Sequence, residues 1–127
     1  MFHLNLRSDI QQATARLGWL ALALIGGNLI FNILANTSFK LSADSPNLRG
    51  FLVWQVIGNL SGFITVITLT WLLRYIPLNV AFPVTTGLAV IGVQIIAGGF
   101  FFKETLSTGQ WLGTFLVVIG IALISGR

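Results

Sequence analysis

Residues 17–39 contain no charged side chain. At about 1.5 Å of rise per residue, a stretch of that length crosses the roughly 30 Å hydrocarbon core of a bilayer. In lipid it has to be helical, because hydrocarbon offers no partner for a backbone N–H or C=O. The pattern returns over residues 51–73, 80–102 and 109–125. Four such runs joined by short polar connections predict an all-α integral membrane protein, a four-transmembrane-helix bundle. Composition agrees, with 55% hydrophobic and only 8% charged residues, where a soluble domain carries about a quarter charged. Pro83 inside the third run removes a backbone donor, so a bend is expected there, with Thr85 and Thr86 near enough to bond freed carbonyls.

Ahead of the first run, residues 1–16 read as a polar N-terminal tail with room for a short interfacial helix, and residues 17–127 as the four-helix domain. The stretch LSADSPNLRG is rich in turn formers and reads as an exposed loop. Ile76-Pro77-Leu78-Asn79 is a tight connection that makes the second and third spans antiparallel neighbours. Leu106-Ser107-Thr108 offers a helix start for the fourth. The net charge of +4 comes from basic residues spread singly near the ends of the apolar runs. That placement suits a lipid bilayer as partner and does not suit nucleic acid. The two sides of the membrane are nearly balanced: Arg7, Arg16, Arg74 and Arg127 against Lys40, Arg49 and Lys103. Membrane orientation is therefore left open by loop charge. Cysteine is absent and the single histidine, His3, lies in the tail. No metal site, cofactor or enzymatic activity is expected, since the sequence offers no nucleophile–base pair, ligand cluster or phosphate-binding loop.

The polar residues inside the spans carry the functional information. In GGNLIFNILANTSFK (residues 26–40), Asn28, Asn32 and Asn36 recur every fourth residue and Lys40 follows at the same spacing. Residues four apart stand above one another on a helix, so these amides form a stripe down one face. Gln55 and Asn59 repeat the spacing in the second span, and Thr85 and Thr86 add hydroxyls in the third. Such a stripe has two uses. It can glue helices together, at about 0.6 kcal/mol per bond on average, or it can line a wet cavity. Gly58 and Gly62 in the second span and Gly113 and Gly120 in the fourth are small residues of the kind that let helices approach closely. The fourth-span pair is the expected oligomer interface.

YIPLNVAFPVTTGLAVIGVQIIAGGFFFKETLSTGQWLG, followed by GTFLVVIGIALISG, resembles the small multidrug resistance proteins and the wider drug/metabolite transporter superfamily. The matching features are the Tyr75-Ile76-Pro77 turn, the Ala81-Phe82-Pro83 and Gly87 region, the Phe101-Phe102-Lys103-Glu104 junction and the Gly113/Gly120 pair. The resemblance implies four-helix protomers that pair as antiparallel dimers through the fourth helices, with the first three lining a shared pocket. It also implies a bacterial cytoplasmic (inner) membrane. The family's proton- and substrate-binding glutamate falls at Asn32, and an amide neither titrates nor neutralises a cation. The family's third-helix tryptophan corresponds to Thr85, and its pocket tyrosines to Gly62 and Phe82.

Two functions follow. The first is a transporter-like protein that moves a neutral, zwitterionic or lipid-linked solute as a dimer, with Asn28, Asn32, Asn36, Gln55, Asn59, Thr85 and Thr86 lining its pocket. Glutamate-based proton antiport is not expected. The alternative is a non-transporting accessory or scaffold subunit of a larger membrane complex. The partner through the fourth helix is a second copy or a different membrane subunit.

Overall fold

A computed structural model describes the backbone of residues 2–126 and the side chains of Ser8 and residues 18–126. Its elements are α1 (Phe2–Ala43), α2 (Leu48–Leu72), α3 (Leu78–Gly92), which continues as a nine-residue π-helix over Val93–Phe101, and α4 (Thr108–Ser125). No strand occurs among the described residues. Among the described residues, four stretches are long and apolar enough to cross a membrane: Gly18–Ala43, Leu48–Leu72, Leu78–Phe101 and Thr108–Ser125. The protein is an all-α integral membrane protein of four helices. The reading of residues 1–16 as an interfacial tail rests on side chains outside the described residues.

The connections are tighter than the sequence suggests. Helix α1 runs past residue 39 to Ala43, and α2 begins ahead of residue 51, at Leu48. Polar side chains inside the expected loop account for both extensions. Ser45 Oγ donates to Leu41 O at 2.9 Å, Ser42 Oγ donates to Phe51 O at 2.7 Å, and Lys40 pairs with Asp44 one turn on, at 3.5 Å. Asn47 then caps α2, its Oδ1 accepting from Gly50 N at 2.8 Å. The start of α4 follows the sequence: Ser107 and Gln110 form a reciprocal capping box.

Helix α3 runs through Pro83, which sits in its second turn. The donor that Pro83 lacks would have served Asn79, near the water-facing end, where solvent can replace it. Thr85 Oγ1 instead donates to Ala81 O at 2.8 Å and to Phe82 O at 3.2 Å. Helical geometry changes farther along, at Gly92, where the π-helix takes over. Lys103, with φ 55, ends it in the left-handed conformation, and Glu104 N reaches back to Gly98 O at 2.8 Å.

The interior is the reverse of a water-soluble core. Among the described residues, the buried side chains are small or polar: Ala35, Ala81 and Ala97, with Asn28, Ser38, Ser42, Ser61, Thr85 and Thr114, and Leu72 as the one large exception. Large apolar side chains such as Trp19, Ile30, Phe63 and Leu123 point outward. Lipid makes that sensible, because it solvates leucine as well as a core does and leaves close backbone approach and hydrogen bonds to hold the helices. Three glycines mark those approaches. A Cβ at Gly58 would lie 2.5 Å from the Phe39 ring, one at Gly92 2.7 Å from Leu29 Cδ1, and one at Gly87 2.7 Å from Ile121 Cδ1. They join α1 to α2, α1 to α3 and α3 to α4. Helices α1 and α2 pack most extensively, whereas α4 packs along α3.

Candidate functional site

Asn28 is the fixed end of the stripe. Only 4% of it is exposed, and its Nδ2 donates across to α2, to Thr65 O at 2.9 Å and Thr68 Oγ1 at 3.1 Å. The next amides stack upon it. Asn32 Nδ2 donates to Asn28 Oδ1 at 2.9 Å and to Asn28 O at 3.1 Å, and Asn36 Nδ2 donates to Asn32 O at 2.9 Å. Each step outward is less buried, from buried Asn28 through half-buried Asn32 to exposed Asn36. Among the described residues, no protein group donates to the Oδ1 atoms of Asn32 and Asn36. Two acceptors are thus left facing space beside the helix.

That space is a chain of three clefts. The deepest, about 190 Å³, lies among α1, α2 and α3 and is lined by Asn28, Asn32, Thr65, Phe82, Thr85 and Thr86. A second, about 360 Å³, shares Thr86 and Ala89 with it and adds Asn36 and Gln94. The third, about 300 Å³, shares Asn36 and Gln94 and opens at the loop end of the bundle among Lys40, Glu104 and Gln110. From Asn28 to Lys40 the route climbs about 18 Å along α1, taking 1.5 Å per residue. Asn28 lies near the middle of the α1 span and Lys40 near its end. Linked through these shared residues, the clefts form a vestibule from one membrane surface to mid-span, apolar over most of its deeper wall, with Asn, Thr and Gln side chains as its polar groups.

The structure gathers Asn28, Asn32, Asn36, Thr85 and Thr86 along this vestibule. Gln55 and Asn59 lie elsewhere. Gln55 Nε2 donates to Ser42 Oγ at 3.3 Å in the α1–α2 seam, and Asn59 Nδ2 donates back to Gln55 O at 2.7 Å. Neither residue lines any of the three clefts. Gln55 meets α1 near its loop end, at Ser42, more than three turns from Asn28, and Asn59 reaches only Gln55. Among the described residues, Gly113 and Gly120 have nothing outside the local turn of α4 within 4 Å of a built Cβ. Their face of α4 is open within the protomer.

Sequence reasoning missed Gln94. It sits at the start of the π-helix, lines two of the three clefts, and accepts from Thr114 Oγ1 of α4 at 2.6 Å. The signal was available, since it is the one amide side chain between Asn79 and Gln110 and stands inside an apolar run. Among the described residues, no three His, Cys, Asp or Glu side chains converge in a metal-ligating group. Comparison with protein families, curated proteins and solved structures finds no match for this chain.

Proposed function

We propose that the protein is a small transporter-like membrane protein of the drug/metabolite transporter type, moving a neutral, zwitterionic or lipid-linked solute without glutamate-based proton antiport. The observation that carries this reading is the vestibule: one face of α1 supplies amides at every level, and two of their acceptors are unspent. Structural glue needs no such route. With Asn32 where a titrating carboxylate would serve an antiporter, the route offers hydrogen bonds without charge. That suits exchange driven by the solute's own gradient.

Each protomer holds a path only to mid-span, so a complete crossing requires a second one. The open Gly113/Gly120 face of α4 is the natural seat for it, and we assign a homodimer of antiparallel protomers. The sequence resemblance supports this arrangement and a bacterial cytoplasmic membrane.

A scaffold function is favoured by a separate observation. Asn28 spends both of its amide hydrogens on α2, as a purely architectural residue would. One experiment separates the readings. The chain contains no cysteine, so single Asn32→Cys and Asn36→Cys variants report on water access without background. Both should react with a membrane-impermeant thiol reagent, whereas Ile30→Cys, on an outward apolar position, should not. Protection of both positions from either side of the membrane would overturn transport and leave the scaffold.

A further inference from the structure

The mouth of the vestibule carries one charge of each sign from different parts of the chain. Lys40 stands on the last turns of α1, and Glu104 follows the π-helix; both line the same cleft of about 300 Å³. Glu104 is held there by its backbone. The left-handed turn at Lys103 and the bond from Glu104 N to Gly98 O fold the chain back. Its carboxylate comes to lie over Gly98, where a built Cβ would sit 3.7 Å from Oε1. Lys103, the neighbouring cation, is not part of the lining.

Lys40 and Glu104 do not pair with each other. Lys40 pairs with Asp44, at 3.5 Å, and among the described residues Glu104 makes no ion pair. Two opposite charges thus face one cavity without neutralising each other. The same cleft is lined by Asn36, with its unspent Oδ1, and by the NH₂ of Gln94, whose Oε1 is taken by Thr114. The Lys40–Asp44 pair is half exposed, so solvent screening keeps it weak and leaves Lys40 available to an anion. An anion alone would also meet Glu104, and a cation alone at Glu104 would meet Lys40. A molecule bearing both charges satisfies the site.

We infer that this mouth binds a compact zwitterion, with its ammonium on Glu104 and its phosphate or carboxylate on Lys40. This rests on the transport reading and narrows its substrate class. The volume suits a solute of amino-acid size or a single lipid headgroup, at the small end of ligand pockets. The same chemistry reaches the site from water, as a free amino phosphate, or from the bilayer, as an aminophospholipid headgroup.

The test uses the full chain in nanodiscs of phosphatidylglycerol, which lacks an ammonium, titrated with O-phosphoethanolamine and with its N-acetyl derivative. Charge-assisted hydrogen bonds contribute about 1.5–3 kcal/mol, so removing the ammonium should weaken binding about tenfold or more. Glu104→Gln should erase the preference between the two compounds, and Lys40→Gln should weaken both. Lys103→Gln, which removes the same charge as Lys40→Gln outside the cleft, should change neither. A second arm exchanges the bilayer lipid for phosphatidylethanolamine or phosphatidylcholine and detects retained lipid by native mass spectrometry. Retention of phosphatidylethanolamine that Glu104→Gln abolishes assigns the headgroup as source, whereas binding of free phosphoethanolamine alone assigns the solute. Equal binding of the two compounds by the native chain, with no lipid preference, overturns the zwitterion site. If that result accompanies reactive Asn32→Cys and Asn36→Cys, transport stands and only the zwitterion falls. If both cysteines are sealed, transport falls whatever the mouth binds.

Discussion

Helices α1 and α2 form a hairpin that holds itself together, whereas α4 is a helix with most of its surface left over. In the hairpin, the Phe39 ring sits on Gly58, Asn28 bonds across to Thr65 and Thr68, and Ser42 bonds across to Phe51. Helix α4 has Ile121 against Gly87 and one polar tether, Thr114 to Gln94. It buries the smallest share of its span, and Trp111, Phe115, Leu116 and Leu123 all point outward. The difference shows two ways of being stable in lipid. A seam of small and polar groups fixes two helices inside one chain, while an apolar face with no seam is equally content against lipid or another protein.

The largest effect on the protomer should come from filling the hairpin's closest approach. Gly58→Leu forces the Phe39 ring to move, since even a Cβ would stand 2.5 Å from it. Overpacking of this kind costs typically about 1–3 kcal/mol. Reversible unfolding in mixed micelles should show that loss, and an unchanged midpoint would mean that the hairpin is looser than its geometry. Next comes Asn28→Leu, which removes two bonds across the seam. At about 0.6 kcal/mol each on average, the loss should be near 1 kcal/mol. A double-mutant cycle with Thr68→Val isolates the side-chain part of it. Additive losses would show that the Asn28–Thr68 contact contributes nothing.

The same contrast explains what could be read from the sequence. The four spans, the Pro77 turn and the Ser107 cap were legible because each depends on a few consecutive residues. The Asn28–Asn32–Asn36 stripe was legible too, being a property of one helix. Which polar residues share a cavity is a matter of how helices are rotated against one another. Gln55 and Asn59 have the same spacing as the stripe, yet Gln55 bonds Ser42 in the seam and the exposed Asn59 bonds back to Gln55. Helix rotation also separates glycines that look alike in sequence: Gly58 is gripped by Phe39, while Gly62 has no atom within 4 Å of its built Cβ. The π-helix was not legible at all. VQIIAGGFF differs little in composition from its surroundings, and nothing in its residue spacing marks a change of hydrogen-bond register.

A smaller effect probes the tether between the two kinds of region. Thr114→Val keeps the shape of the side chain and removes the 2.6 Å bond to Gln94 Oε1. The loss should be near the bundle average, about 0.6 kcal/mol. Gln94→Leu should produce a similar loss, and the double variant should lose little more than either single one. A loss well above 1 kcal/mol would mean that α4 depends on this bond for its position, making α4 less independent of the vestibule than its packing indicates.

The smallest effect on the protomer should come from the open face of α4. Among the described residues, nothing outside the local turn of α4 lies within 4 Å of a Cβ built at Gly113 or Gly120, so a Cβ at Gly120 meets no neighbouring helix inside the protomer. Leucine also has the better helix propensity, by nearly 1 kcal/mol in an isolated helix. The unfolding midpoint of the isolated protomer should therefore hold steady or rise slightly. In a bilayer the outcome divides. If the face meets only lipid, Gly120→Leu leaves mass and cross-linking unchanged. If a second protomer seats there, leucine holds the backbones apart where glycine let them touch, and the dimer should disperse while each protomer stays folded. A drop in protomer stability would contradict the open face itself. Dispersal without such a drop would locate the dimer on α4, the region that the chain leaves uncovered.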